Sequence, residues 1–150
     1  MDEIDEANAR RTRIIPFMDE RQQMLVRDKL RQARESLEDA KALLVHDAEV
    51  NFVMNSLYYA FLYPVLGLLQ ARGSAAPMQA TAISLFEREF SGKGGIEARF
   101  IEALQKAFKL RPACACEGQQ KATPEDVEQL LPLAEEFLKR VEQVISSNAD

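Results

Sequence analysis

The stretch from Asn51 to Arg72 constrains the fold more than any other part of this chain. It has the sequence NFVMNSLYYAFLYPVLGLLQAR, and it contains no charged residue between Leu57 and Leu69. A helix of this composition has no face that prefers water, so other helices must cover it on all sides. A membrane-spanning helix needs about 20 consecutive apolar residues, and Asn55 and Ser56 interrupt this segment. The sequence therefore predicts the buried central helix of a bundle rather than a membrane span.

Apolar residues at helical spacing predict further helices on both sides of this segment, and no strand pattern is present. The predicted helices cover about 19–45, 51–72, 81–90, 96–110 and 123–145. Short connections favour antiparallel neighbours. We therefore predict an all-α domain over residues 19–150, built as an antiparallel up-and-down bundle of four long helices plus one short helix. Residues 1–18 are predicted to form an irregular N-terminal arm, because Pro16 blocks helix extension.

Composition and charge describe an ordinary globular chain. A length of 150 residues suits one domain, and the chain is 29% charged and 47% hydrophobic. The net charge of -5 argues against a protein that binds nucleic acid over its whole surface, although the segment from Arg10 to Arg34 is locally basic. The N-terminus is acidic and then basic, with no apolar middle, so we expect no signal peptide and a cytoplasmic location without membrane association.

Few residues of the sequence suit catalysis or metal binding. The single histidine, His46, has no nucleophile or second ligand at a matching spacing, which favours capping or simple exposure. A di-metal site in a helical bundle needs two Glu-x-x-His pairs, which a chain with one histidine cannot supply. Cys114 and Cys116 match neither a zinc-ligand set nor a disulfide framework. The glycine run at 91–95 lacks the phosphate-loop spacing and indicates a hinge. We expect neither a metal nor a cofactor.

Five segments, in this order, resemble a known family. They are ARESLEDAKALL (Ala33–Leu44), LYYAFLYPVLGLLQARG (Leu57–Gly73), LFEREF (Leu85–Phe90), FKLR (Phe108–Arg111) and TPEDVEQLLPLAEEFLKRVEQVI (Thr123–Ile145). The family is the HEPN superfamily, small helical bundles that are also described as nucleotidyltransferase substrate-binding subunits. The resemblance covers about Arg27 to Ile145. Its most specific part is the Tyr-Tyr-Ala-Phe core with the Leu-Leu-x-x-x-Gly ending.

The resemblance implies a homodimer that is often paired with a minimal nucleotidyltransferase in a prokaryotic toxin-antitoxin module. Catalytic members cut RNA with an arginine that is followed several residues later by a histidine. Arg111 takes the place of that arginine, but no histidine follows it. Ala115 and Cys116 stand where other members have an Asp-Tyr pair, and residues 79–81 replace a threonine-histidine that often follows the second helix. These departures favour a protein without RNA cleavage, since attack by a ribose hydroxyl normally needs a group that moves its proton.

The sequence is compatible with different functions. The first is a non-catalytic module that dimerises and binds a nucleotidyltransferase or another protein. For the dimer we expect exposed apolar surface on the second helix, at Tyr58, Tyr59, Leu62 and Tyr63. The alternative is an RNA-binding or RNA-cleaving protein in which Arg111, Lys109 and Lys106 contact RNA or a nucleotide. In a third interpretation, the resemblance reflects shared helix packing alone.

Overall fold

The computed structural model describes residues 17–74, 78–92, 95–112 and 121–147. Within these ranges the chain forms five helices: α1 (Glu20–Val45), α2 (Val50–Ala71), α3 (Gln79–Phe90), α4 (Ala98–Leu110) and α5 (Pro124–Ser147). The described ranges contain no strand, so the all-α prediction is confirmed. α3 and α4 are 12 and 13 residues long, whereas the other helices have 22 to 26 residues. The predicted count of four long helices and one short helix is therefore not matched. Residues 1–16 of the predicted arm lie outside the described part.

α2 lies at the centre of the bundle, as its composition predicts. Thirteen of its 22 residues are buried, and each of the other four helices packs against it. α2 is long and apolar enough to cross a membrane, judged by length and composition alone. However, 67% of its most apolar stretch is buried by the rest of the protein, which is also the pattern of a core helix.

An aromatic cluster joins four of the helices. The ring of Phe137 in α5 lies 5.6–5.9 Å, centroid to centroid, from the rings of Phe61 in α2, Phe86 in α3 and Phe100 in α4. All four side chains are less than 2% exposed. Burying one such side chain contributes about 1.5–3 kcal/mol, and each aromatic pair adds roughly 0.5–1.5 kcal/mol. Phe137 therefore fixes α5 against three other helices at once.

α1 and α2 run antiparallel. Near the start of α1, the Gln22 side chain donates from Nε2 to the carbonyl oxygens of Gln70 (3.0 Å) and Ala71 (3.3 Å) at the end of α2. The Gln70 carbonyl also accepts from the backbone N–H of Gly73 at 3.0 Å, so Gln22 adds a second hydrogen bond there and ties the last turn of α2 to α1.

α3 runs in the same direction as α2. The hydroxyl of Tyr58, in the first half of α2, donates to Oε1 of Gln79 at the start of α3, at 2.6 Å. Arg72, just after α2, pairs with Glu89 near the end of α3, at 3.6 Å. The expectation that short connections make neighbours antiparallel is wrong for this pair, because α3 begins beside Tyr58 rather than beside the end of α2.

Local contacts and backbone conformation mark the start of α1, the end of α2 and the start of α5. The Asp19 side chain accepts from the backbone N–H of Gln22 at 2.8 Å and caps α1. Gly73 has a φ of 74°, a conformation that glycine adopts easily, directly after α2. Before α5, Thr123 and Asp126 each accept from the backbone N–H of the other, at 3.2 and 2.9 Å. The backbone bond from Thr123 holds the pKa of Asp126 below its usual value.

Candidate functional site

The three predicted cations near the end of α4 lie in different surroundings. Nζ of Lys106 faces α5, where it lies 3.1 Å from Oδ1 of Asp126 and 3.0 Å from Oε1 of Gln129. Lys109 is exposed, and Arg111 is half-buried directly after the last residue of α4. Lys109 and Arg111 therefore lie within two residues of each other at the C-terminal end of α4, whereas Lys106 contacts α5.

Arg111 stacks on two aromatic rings. Its guanidinium carbon lies 3.7 Å from the centroid of the Phe108 ring and 5.4 Å from that of Tyr58. Its Nη1 also donates to the backbone carbonyl of Phe108. Pro112 favours the extended backbone that Arg111 adopts, with φ -63° and ψ 144°, and so ends α4 there. The cation is thus held between α4 and α2 in a defined orientation.

Tyr58 is buried beneath this cation. Its side chain is 1% exposed, and its hydroxyl donates to Gln79. Burial raises the pKa of Tyr58 to about 12, and the nearby charge of Arg111 opposes that rise. The hydroxyl therefore remains protonated at neutral pH and acts as a hydrogen-bond donor between α2 and α3.

A groove of about 360 Å³ is lined by Phe108, the residue on which Arg111 stacks. It forms because α3 and α4 both pack against α2 but do not pack closely against each other. Its walls include Ile83, Ser84 and Glu87 of α3 and Gln105, Phe108 and Lys109 of α4. In the groove, Nε2 of Gln105 donates to Oε1 of Glu87 at 2.8 Å. Phe108 belongs to both features, since it lines the groove and also supports Arg111.

Sequence patterns do not predict the pairing of Glu87 with Gln105. Both residues occupy polar positions on amphipathic helices, and the periodicity of such helices assigns these positions to solvent. Only the placement of α3 beside α4 brings the two side chains together. The spacing of residues within either helix contains no signal for this contact.

The residues predicted to form a dimer surface lie on two sides of α2. Tyr58 and Leu62 are only 1% and 2% exposed. The expectation that they are exposed is wrong, because the chain itself supplies enough helices to cover this side of α2. Tyr59 and Tyr63 are half-buried, their rings lie 5.7 Å apart, and Nζ of Lys29 lies 5.7 Å from the Tyr63 ring. Their role in a dimer stays a prediction.

The described part of α1 does not present a continuous basic surface. Arg31 pairs with Asp28 and Glu35, and Arg34 lies 3.5 Å from Glu142 of α5. Exposed pairs of this kind contribute little to stability, but they neutralise the charge of the helix face. The first part of the predicted basic segment lies outside the described residues.

His46, the single histidine of the chain, lies in a turn. His46 is exposed in the turn between α1 and α2, where its backbone N–H donates to the carbonyl of Ala42. No group of three or more His, Cys, Asp or Glu side chains suited to a metal ion occurs among the described residues. Cys114 and Cys116 lie outside them.

Comparison with known proteins identifies relatives of this chain. The profile of the HEPN domain family matches residues 26–144. A UPF0332 protein from Thermotoga maritima is 30% identical over 115 residues, which cover 77% of this chain and 86% of that protein. No solved structure matches the chain significantly. The matched region contains α2, α3 and α4 completely, so it includes Arg111, both aromatic rings beneath it and the groove.

Proposed function

This chain belongs to the HEPN family, and from that premise we propose that it is a non-catalytic HEPN module, a homodimer that binds a minimal nucleotidyltransferase in a prokaryotic toxin-antitoxin-like system. The proposal is supported by Arg111, which rests on Phe108 and Tyr58 while no histidine follows it in the sequence. The single histidine, His46, lies in the turn between α1 and α2. Arg111 therefore has the charge to bind phosphate, but it lacks the histidine that catalytic members use.

We assign the dimer contact to the half-buried side of α2. Tyr59 and Tyr63 retain accessible ring surface there, unlike Tyr58 and Leu62. Apolar surface that a chain covers only in part is suited to contact with a second copy.

Co-expression tests the proposed partner. The tagged chain is produced together with the products of its flanking genes, purified by affinity and separated by size-exclusion chromatography. We expect a protein with a nucleotidyltransferase domain to co-elute in a fixed ratio. Elution of the chain without such a protein contradicts the partnership.

The stacking of Arg111 supports RNA binding as a second candidate function. A planar guanidinium is the side chain best suited to contact phosphate oxygens through paired N–H donors. Exposed Lys109 adds positive charge at the same end of α4.

Arg111→Ala is expected to weaken binding of a single-stranded RNA about tenfold, the loss typical of one charged hydrogen-bonding group. Fluorescence anisotropy at fixed low salt measures this affinity. Arg27→Ala, which removes an exposed arginine on α1, is the matched control and should leave the affinity unchanged. Equal losses in the two variants would show that only total charge matters.

A further inference from the structure

We propose that the groove between α3 and α4 binds a nucleoside monophosphate, free or as one unit of a single-stranded RNA, whose base has an exocyclic amino group. This inference rests on the proposed RNA or nucleotide binding at Arg111, and adds a site and a base preference. The groove volume of about 360 Å³ falls within the range of roughly 300–1,000 Å³ for small-molecule sites. Its acidic, apolar and cationic parts each correspond to one part of such a ligand.

The acidic part is formed by Glu87. Oε1 of Glu87 accepts one hydrogen bond from Gln105, which orients the carboxylate across the groove. An ionised carboxylate accepts hydrogen bonds and cannot donate them, and it retains further acceptor capacity after this one. It therefore favours a ligand edge with an N–H donor. Carboxylates accept from the exocyclic amino group of cytosine in this way, and the amino group of adenine offers the same donor.

The apolar part is formed by Ile83 and Phe108. Both residues line the groove, and Phe108 is half-buried, so part of its ring surface is accessible there. Unpaired bases bind proteins largely by stacking on apolar and aromatic side chains. The guanidinium of Arg111, 3.7 Å from the Phe108 ring, keeps that ring in place.

The cationic part is formed by Lys109 together with the neighbouring Arg111. Lys109 is exposed, and it follows Gln105 by four residues on α4, which is about 6 Å along the helix. The lysine side chain adds its own length to this distance, so the span from Gln105 to the ammonium group of Lys109 is comparable to one nucleotide. A phosphate at Lys109 and a base edge at Glu87 can therefore be contacted by the same ligand.

A peptide with a lysine or arginine side chain is the competing occupant, since Glu87 could also pair with a cation. Lys109 in the groove, with Arg111 two residues further along the chain, favours the nucleotide, because positive charge attracts an anion and repels a cationic peptide. The polarity of the groove thus selects a ligand with a donor at one end and negative charge at the other.

Calorimetric titration of the full chain with AMP tests the proposal. The comparison ligand is purine riboside 5′-monophosphate, which differs from AMP only in lacking the amino group. We expect AMP to bind at least about fivefold more tightly, since one buried hydrogen bond to a charged group is lost in the comparison ligand. Glu87→Met keeps a similar length without an acceptor and should abolish the preference. Glu87→Gln is a second variant, and it should reduce the preference without abolishing it.

Lys109 provides an independent variant. Lys109→Met should lower the affinity for both nucleotides by the same factor. It should leave the affinity for adenosine, which has no phosphate, unchanged. Lys139→Met removes an exposed lysine on α5 and should change none of these affinities. A five-residue oligoadenylate that competes with AMP identifies RNA as a source of the ligand, and AMP binding without competition identifies the free nucleotide.

The proposal is overturned if wild-type protein binds both nucleotides equally or binds neither at millimolar concentration, or if the preference persists in Glu87→Met. Binding of a lysine-containing peptide that depends on Glu87, in place of AMP, also overturns it. RNA binding that depends on Arg111 but shows no base preference contradicts only this inference and leaves the proposed function standing.

Discussion

Tyr58 connects three helices through one hydroxyl group and one ring. The hydroxyl donates to Gln79 at the start of α3 at 2.6 Å, and the ring lies 6.0 Å from that of Phe108 in α4. The guanidinium carbon of Arg111 lies 5.4 Å from the same ring. Tyr58 therefore positions both the beginning of α3 and the aromatic surface that supports the candidate binding cation.

Tyr58→Phe keeps the ring and removes the hydroxyl, so we expect the free energy of unfolding at neutral pH to fall by about 1 kcal/mol, the typical value of one hydrogen bond. Urea denaturation measures this change. Because Phe108 and the Tyr58 ring both remain, the affinity for RNA should change much less than in Arg111→Ala. A large loss of stability would instead indicate that the hydroxyl has further buried partners.

The stability of the wild-type chain should fall between pH 10 and pH 12. Burial raises the pKa of Tyr58 from 10.0 to about 12, so the unfolded state loses its proton first as the pH rises. Since the unfolded state then binds fewer protons, the free energy of unfolding falls over this interval. Tyr58→Phe should lack this contribution and show a shallower decline in urea titrations at several pH values. The same slope in both proteins contradicts the assignment.

At the scale of the helix, α2 has one position where an added carbon has room. Gly67 is buried in the middle of α2. A Cβ atom added there would lie 3.6 Å from Cβ of Lys29 and 3.7 Å from Cδ2 of Leu30. These distances are ordinary van der Waals contacts, so alanine fits against α1 without displacing it.

Gly67→Ala should raise the free energy of unfolding by roughly 0.5–1 kcal/mol, because glycine has a poorer helix propensity than alanine. Gly67→Leu is the opposing variant and should lower stability, since its additional carbons would overlap α1. Chemical denaturation of the three proteins gives both signs. A lower midpoint for Gly67→Ala would show that α1 cannot accept even one extra carbon.

The helices themselves could be predicted, because α2 is apolar on all sides and the other helices carry apolar residues at helical spacing. α2 spans Val50–Ala71, within one residue of the predicted 51–72 at each end. Contacts distant in sequence could not be predicted in this way. Within the glycine run predicted to be a hinge, Arg140 of α5 donates to the carbonyl of Gly95 at 2.8 and 3.1 Å, and this contact holds Gly95 against α5.

The candidate site could be predicted only in part. Arg111 could be predicted from the family resemblance, because it takes the place of the arginine that catalytic members of the family use. The burial of Tyr58 and the pairing of Glu87 with Gln105 depend on how α3 is placed relative to α2 and α4. That placement results from the summed packing of several helices, and no short stretch of sequence encodes it.

At the scale of the whole molecule, the half-buried side of α2 around Tyr59 is the proposed contact between two copies of the chain. Tyr59→Glu places a charge on the proposed contact, where desolvation makes an unpaired charge costly. We expect wild type to sediment as a dimer at micromolar concentration and the variant as a monomer. Val45→Ser, at a site that is 79% exposed at the end of α1, is the control and should remain dimeric. A wild-type monomer contradicts the proposed dimer.

RNA cleavage by the purified chain tests the non-catalytic assignment most directly. A labelled single-stranded RNA is incubated with wild type, Arg111→Ala and Arg27→Ala, each purified in the same way, and the products are resolved by electrophoresis. We predict that the RNA remains intact with all three proteins, because no histidine follows Arg111 to move the proton of the attacking hydroxyl. Cleavage by wild type and Arg27→Ala that is absent with Arg111→Ala would contradict the assignment.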